Sequence, residues 1–279
     1  MNQTLPQNVT RYRTRLEEWR TTLDGLEEVP RNDQGMANWT FVQVPHNWED
    51  YHGYHQVSHG NLHGTAWYLT TFEIDEALGE DRLYSYFEGV GSYATVYANG
   101  EEVGRHAGGR TTFTVDLTEA LKVGTNWLAV KAEHPENIDD LPFVCGGCWG
   151  SPNTEGSQPF GMFRPAWLER TGPLRIAPFG VHVLTPLVSE ARARVETETL
   201  LSNPGKAAQK GELNQIICDS TGKVVARASS MVELEPESEN TISLHFPEWS
   251  PPQLWSPESP RLHTVHTKVV TGDSVAHTM

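Results

Sequence analysis

Apolar residues recur along this chain with two different periods. In residues 14–26 (TRLEEWRTTLDGL), Leu16, Trp19 and Leu23 fall three and four apart and the run stops at Asp24-Gly25, which predicts a short N-terminal helical segment. After that the period becomes two. Residues 66–74 (AWYLTTFEI) are aromatic and β-branched, with no Gly or Pro, and read as a strand buried on both faces for part of its length. Residues 83–89 repeat the pattern. Residues 93–98 run into Asn99-Gly100 and out through 101–106; this dipeptide accepts positive φ at both central positions of a type I′ turn, so a hairpin is predicted. In 111–117, Phe113, Val115 and Leu117 alternate with polar residues, and Thr118 is placed to cap one helical turn before Gly124-Thr125 reverses the chain into a strand at 126–132.

From 134 to 165 prolines and glycines break every period, so the stretch reads as one long loop, with Phe143, Cys145, Cys148, Trp149, Phe160 and Phe163 arguing for order within it. A strand resumes at 166–169. Gly172-Pro173 and Pro178-Phe179-Gly180 mark a domain boundary, and a new alternating series opens at 194–201. Residues 213–218 and 223–228 flank a turn at Asp219-Ser220-Thr221-Gly222, further strands follow at 241–246 and 262–270, and residues 274–279 form the return arm of a last hairpin.

Composition agrees with many short strands: 24 Gly and 18 Pro supply turns, and 9 Trp, 8 Tyr and 9 Phe favour sheets. A length of 279 residues makes two domains the default, and strands at this spacing indicate a sandwich or jelly roll, an all-β fold class. A net charge of −15 argues against a nucleic-acid partner, since no basic patch stands out against it. No apolar run approaches the roughly 20 residues that span a bilayer, and the N-terminal twenty residues lack the apolar core of a signal peptide.

Several groups could carry chemistry. Cys145 and Cys148 flank two glycines, but zinc wants four ligands and the third cysteine, Cys218, falls in the other domain; a local disulfide or two free thiols in a tight turn remain. Asp139-Asp140 could accept hydroxyl hydrogens of a ligand or bind calcium through hard oxygen, against the plainer reading of a solvated turn. His46, His52, His55, His59 and His63 lack the spacing of a metal motif and read as a polar surface. Trp48, Trp67, Tyr84, Tyr86, Tyr93, Tyr97 and Trp127 could offer flat apolar faces to a ligand, but most sit in strand patterns and read as packing residues. Glu101-Glu102 and Glu27-Glu28 are adjacent on extended chain and point to opposite faces, so neither pair supplies two carboxyls facing one another for acid–base work.

One family shares the order of motifs. Val44-Pro45-His46-Asn47-Trp48, the strand at 66–74, Phe87-Glu88-Gly89-Val90 with Val96-Tyr97-Ala98-Asn99-Gly100, the stretch 113–126, Gly161-Met162-Phe163-Arg164-Pro165, and Leu254-Trp255-Ser256-Pro257 with Pro260-Arg261-Leu262 resemble the N-terminal half of glycoside hydrolase family 2, which includes β-galactosidases, β-glucuronidases and β-mannosidases. The resemblance implies a galactose-binding-like jelly-roll sandwich over residues 1–175, with the short helical segment at its start, and an immunoglobulin-like β-sandwich over 180–279. It also implies a (β/α)₈ barrel of roughly 250 residues, carrying both catalytic glutamates, that is expected after this chain and matches no position in it.

On that resemblance the chain is expected to be the non-catalytic portion of a retaining β-glycosidase and inactive alone. Asp139, Asp140, Cys145, Cys148, Trp149 and Arg164 are then expected near the substrate entrance, with an ion pair inside the sandwich as the plainer role for Arg164. No cofactor is expected, and the partners are a β-glycoside, the barrel and a second copy of the chain, since an uncovered sheet edge favours self-association. A periplasmic or secreted location follows from the resemblance. A free-standing carbohydrate-binding module and a structural pair of sandwiches are the alternatives.

Overall fold

A computed structural model describes residues 13–23, 25–26, 28–30, 38–48, 62–135, 159–272 and 274–279. The strands are, in chain order, β1 (Arg13–Arg15), β2 (Glu18–Thr22), β3 (Thr40–Gln43), β4 (Gly64–Ile74), β5 (Arg82–Phe87), β6 (Tyr93–Ala98), β7 (Glu101–Ala107), β8 (Phe113–Asp116), β9 (Gly124–His134) and β10 (Ala166–Thr171). There follow β11 (Arg175–Val188), β12 (Ala193–Asn203), β13 (Gln209–Cys218), β14 (Val224–Leu234), β15 (Ser238–His245), β16 (Thr264–Thr271) and β17 (Ser274–Thr278). Two compact units divide the chain, Met1–Arg170 and Thr171–Met279. A 3₁₀ turn spans Thr118–Ala120, and among the described residues no helix is long and apolar enough to cross a membrane.

The first unit is a jelly-roll sandwich of a six-stranded sheet, β3-β2-β4-β9-β6-β7, and a four-stranded sheet, β1-β10-β5-β8. Between them lies a core that includes Leu16, Trp19, Tyr68, Phe72, Phe87, Leu128, Phe160 and Leu168, all under 2% exposed. On the opposite face of the large sheet, Trp67, Leu69 and Ala129 pack with Trp39, Leu26 and Val29. This second layer explains why β4 is apolar on consecutive positions: each face has its own cover.

The N-terminal helix expected at residues 14–26 does not form. Residues 13–15 pair with β10 and residues 18–22 pair with β3 and β4, so the segment contributes a strand to each sheet. Trp19 and Thr21 are buried while Arg20 between them is exposed, which is a period of two. Leu23, needed for the helical stripe, is 37% exposed, and the Trp19 indole donates to the Leu16 carbonyl at 3.0 Å. Pairing with strands far along the chain outweighs a three-residue coincidence of spacing.

The Asn99-Gly100 turn forms with φ of 50° and 87°. Asn99 also accepts from the Trp127 backbone N–H at 3.0 Å and donates to the Ala120 carbonyl and the Asn126 side chain at 2.8 and 2.9 Å, tying the hairpin tip to the next crossover. The single turn after Leu117 forms too, but Thr118 does not cap it. Its hydroxyl accepts from the Leu83 N–H, and Asp116 accepts the Thr118 N–H at 2.9 Å while pairing with Arg82 at 2.8 Å. Burial alone would lower the Arg82 pKa, and the Asp116 hydrogen bond and charge outweigh it and raise it.

The second unit is an immunoglobulin-like sandwich of β11-β12-β15 and β14-β13-β16-β17 around Leu174, Ile176, Leu201, Leu213, Val232 and Val269. Pro178-Phe179-Gly180, expected as a boundary, lies inside β11. There the pairing with β12 shifts register between Ile176 and Val181, and Phe179 has a φ of 55°. Because β11 is an edge strand, a proline and a bulge remove no ladder that a neighbour needs. Asp219 organises the β13–β14 turn: the Thr221 hydroxyl and N–H and the Lys223 N–H all donate to it, holding its carboxyl below its usual range. The last hairpin forms as expected, β17 pairing with β16. Trp255, on the motif shared with the family, is 58% exposed.

Candidate functional site at the loop end of the jelly roll

Strand register puts one set of loops together. Gly64 lies opposite His134, Tyr93 opposite both Glu133 and Ala107, and Phe87 opposite Phe113, so the chain before β4, after β5, after β7 and after β9 meets at one end of the sandwich. Backbone hydrogen bonds join these segments. His46 and Trp48 donate to the Met162 and Phe160 carbonyls at 2.8 and 2.9 Å, Gly91 and Gly161 exchange bonds at 3.0 and 3.3 Å, Ser92 donates to Glu133, and Glu88 to Pro165. The Asn47 side chain accepts from the Phe160 N–H at 2.9 Å. Residues 49–61 and 136–158 therefore both leave and re-enter the described chain here.

The junction has little room. A Cβ on Gly161, whose φ is +111°, would fall 2.1 Å from the Tyr68 hydroxyl, and one on Gly91 would fall 2.3 Å from the Pro159 carbonyl oxygen. Only glycine permits both the left-handed backbone and the approach at Gly161.

Polar groups and rings alternate across this floor. His46 Nδ1 and the Tyr68 hydroxyl are 2.9 Å apart, and the His46 ring meets Trp48 edge-on at 5.1 Å. His134, fully buried, has Nδ1 2.9 Å from the Ser92 hydroxyl and is stacked between His63 at 5.3 Å and Phe160 at 5.5 Å. Beside them His106 lies flat on Phe113 at 4.2 Å. Its Nε2–H donates to the Thr111 hydroxyl at 2.7 Å, which donates to the Gly108 carbonyl. Burial lowers the His106 pKa, and hydrogen bonding to Gly108 offsets this only in part, so the ring is neutral at pH 7.

Of the expected site residues, Asp139, Asp140, Cys145, Cys148 and Trp149 lie outside the described residues, as do His52, His55 and His59. Arg164 is described: it is exposed at this end, its guanidinium 5.8 Å from the Phe163 ring, and among the described residues no carboxylate pairs with it. Among the described residues its contact is with the Phe163 ring. His46 and His63, read from sequence as polar surface, are half-buried parts of the floor, and Trp67 and Tyr84 are buried packing residues. Among the described residues no three of His, Cys, Asp or Glu gather as metal ligands, and Cys218 is a buried free thiol.

Tyr68, Ser92, His134 and Phe160 were missed as site residues. His134 alone carried a local signal, as the first residue of the long loop that follows the strand at 126–132. The acid pair on β7 is unsuited to proton donation: Arg105 grips Glu102 at 2.7 and 2.8 Å and lowers its pKa, whereas a general acid needs the opposite shift.

Residues 32–137 match the model of "Glycosyl hydrolases family 2, sugar binding domain" and residues 175–279 that of "Glycosyl hydrolases family 2". A beta-galactosidase of Bacteroides ovatus, BoGH2A, is 29% identical over 266 residues, covering 92% of this chain and 29% of its own length. A beta-glucuronidase of Formosa agariphila is 27% identical over 271 residues, covering 90% and 27%. Among solved structures, a glycosyl hydrolase family 2 member from Bacteroides cellulosilyticus superposes with a TM-score of 0.79 at 25% identity, over 96% of this chain and 35% of that one. The chain thus spans less than a third of the length of these two curated relatives.

Proposed function

The chain belongs to glycoside hydrolase family 2, and from that premise we propose that it is the substrate-shaping, non-catalytic portion of an enzyme that hydrolyses β-glycosidic bonds. The observation that carries this reading is the floor built from His46, Tyr68, Ser92, His134 and Phe160, on which the described residues flanking positions 49–61 and 136–158 are joined by hydrogen bonds and ring contacts. A rigid scaffold end that presents long loops is where binding groups are placed. In this reading Asp139 and Asp140 accept hydrogen bonds from sugar hydroxyls, Trp149 offers an apolar face, Arg164 and the turn at Cys145 and Cys148 border the entrance, and the acid and nucleophile belong to a barrel outside these 279 residues.

The test is kinetic. In an enzyme where this chain precedes a family 2 barrel, replacing Asp139 and Asp140 by Ala is expected to lower kcat/KM on aryl β-glycosides about tenfold, with a smaller loss for Trp149→Ala and Arg164→Ala. The 279-residue chain alone is expected to release no aglycone. Wild-type kinetics in all these variants would reduce the loop to a cover and overturn the reading.

A further inference from the structure

The second unit carries a concavity of about 480 Å³ on the sheet β14-β13-β16-β17. Register builds its lining: Asn214 lies opposite Lys268 and Ser229, and Ile216 opposite His266 and Arg227. On β13, Leu213, Gln215 and Ile217 are buried in the sandwich, so Asn214, Ile216 and their cross-strand partners share the outward face. Arg227, His266 and Lys268 are exposed there.

These cations differ from their neighbours. Lys210 pairs with Glu233 at 3.1 Å, Arg192 with Glu248 at 3.4 Å and Arg194 with Glu196 at 3.7 Å, whereas among the described residues Arg227 and Lys268 make no ion pair. In a chain of net charge −15, the lining of this concavity holds Arg227 and Lys268 and no carboxylate, a local reversal of sign, with Glu212 the nearest acid along the same face of β13. Arg227 and Lys268 stand on the two strands flanking β13, two strand spacings across and two residues along, roughly 12 Å apart at the backbone. That separation suits two acidic groups along one chain better than one small anion. Asn214 and Ser229 add the amide and hydroxyl that pair with sugar hydroxyls, and Ile216 adds an aliphatic patch for a sugar C–H face.

We propose that this face is a binding site for an acidic oligosaccharide, with Arg227 and Lys268 receiving successive uronate carboxylates. The guanidinium supplies a forked, bidentate contact and the ammonium a point charge. The site lies within the second unit and does not rest on the role proposed for the jelly-roll loops.

Calorimetric titration of the full 279-residue chain with a galacturonate tetrasaccharide tests it, with the methyl-esterified tetrasaccharide and sodium sulfate as controls. The acidic tetrasaccharide is expected to bind, to weaken as salt rises, and to lose about fivefold in affinity with Arg227→Ala or Lys268→Ala and more than about tenfold with both. Both positions are exposed, so melting temperature is expected to hold, and Arg164→Ala is expected to leave this binding unchanged. The proposal is overturned if the acidic tetrasaccharide fails to bind, if its methyl ester binds equally well, if sulfate displaces it at equal concentration, or if the double variant binds like the wild type.

Discussion

The two sandwiches bury polar side chains in different places, and the placement tells them apart more clearly than their strand counts. In the jelly roll the interior between the sheets is apolar and aromatic, and the hydrogen-bonded pairs His46–Tyr68 and Ser92–His134 sit at the loop end. In the immunoglobulin-like unit a glutamine occupies the centre. Gln215, 1% exposed on β13, accepts from Thr197 on β12 and donates to Thr199 at 3.0 Å and to Thr267 on β16 at 2.9 Å. One side chain therefore bonds across both sheets. A buried polar group with every partner in place stabilises only the arrangement that satisfies it, so this network holds sheet register in a unit whose main apolar cluster lacks large aromatics. The first unit relies on aromatic packing between its sheets and places hydrogen-bonded polar side chains at both strand ends, Asn126 with Asn99 at the hairpin tip and Ser92 with His134 at the loop end.

That contrast can be broken most severely at Gly161. Gly161→Ala forces a side chain into the Tyr68 hydroxyl at a left-handed φ, and is expected to cost about 3 kcal/mol in denaturant unfolding of the first unit while the second keeps its midpoint. Equal loss in both units would mean that they unfold as one body and that their polar networks cannot be separated this way. A loss under about 0.5 kcal/mol would show that the loop end yields where the packing says it is rigid.

Gln215→Leu comes next. It leaves the hydroxyls of Thr197, Thr199 and Thr267 without their shared partner and is expected to cost roughly 2 kcal/mol, confined to the second unit. Combining it with Thr197→Val, Thr199→Val and Thr267→Val should recover stability but broaden the amide resonances of β12 and β13, if the network's role is to select register. A well-ordered quadruple variant would assign it to stability alone.

The smallest effect is at His106. Its pKa is lowered in the folded state, so the unfolded chain binds the extra proton first: the stability from the neutral ring is complete above the unfolded value near 6.5 and declines as pH falls through it toward the folded value. Thermal melts between pH 7.5 and 5.5 should show a decline in the first unit that His106→Gln flattens, with the second unit unaffected. An unchanged slope in the variant would place the titration elsewhere.

Most strands were readable before any coordinates because their signals are local. The alternation at Phe113, Val115 and Leu117, the Asn99-Gly100 dipeptide and the turn at Asp219–Gly222 each express a two-residue period or a backbone conformation that a few neighbouring residues determine. The N-terminal segment failed for the opposite reason: Leu16, Trp19 and Leu23 match a helix only until β10, β3 and β4 are there to pair with it. Pro178-Phe179-Gly180 looked like a break because sequence does not say which strand is an edge.

The sequence by itself determined the all-β class, most of the strands and the family, since turn chemistry and side-chain period act over a few residues and the shared motifs are runs of them. Tertiary structure alone decided that His46, Tyr68, Ser92, His134 and Phe160 form one floor, that Gln215 joins two sheets, and that Arg227 and Lys268 share a face. Those residues come from strands and loops more than a hundred positions apart, and what brings them together is the register of the sheets, a property that no local window of the chain contains.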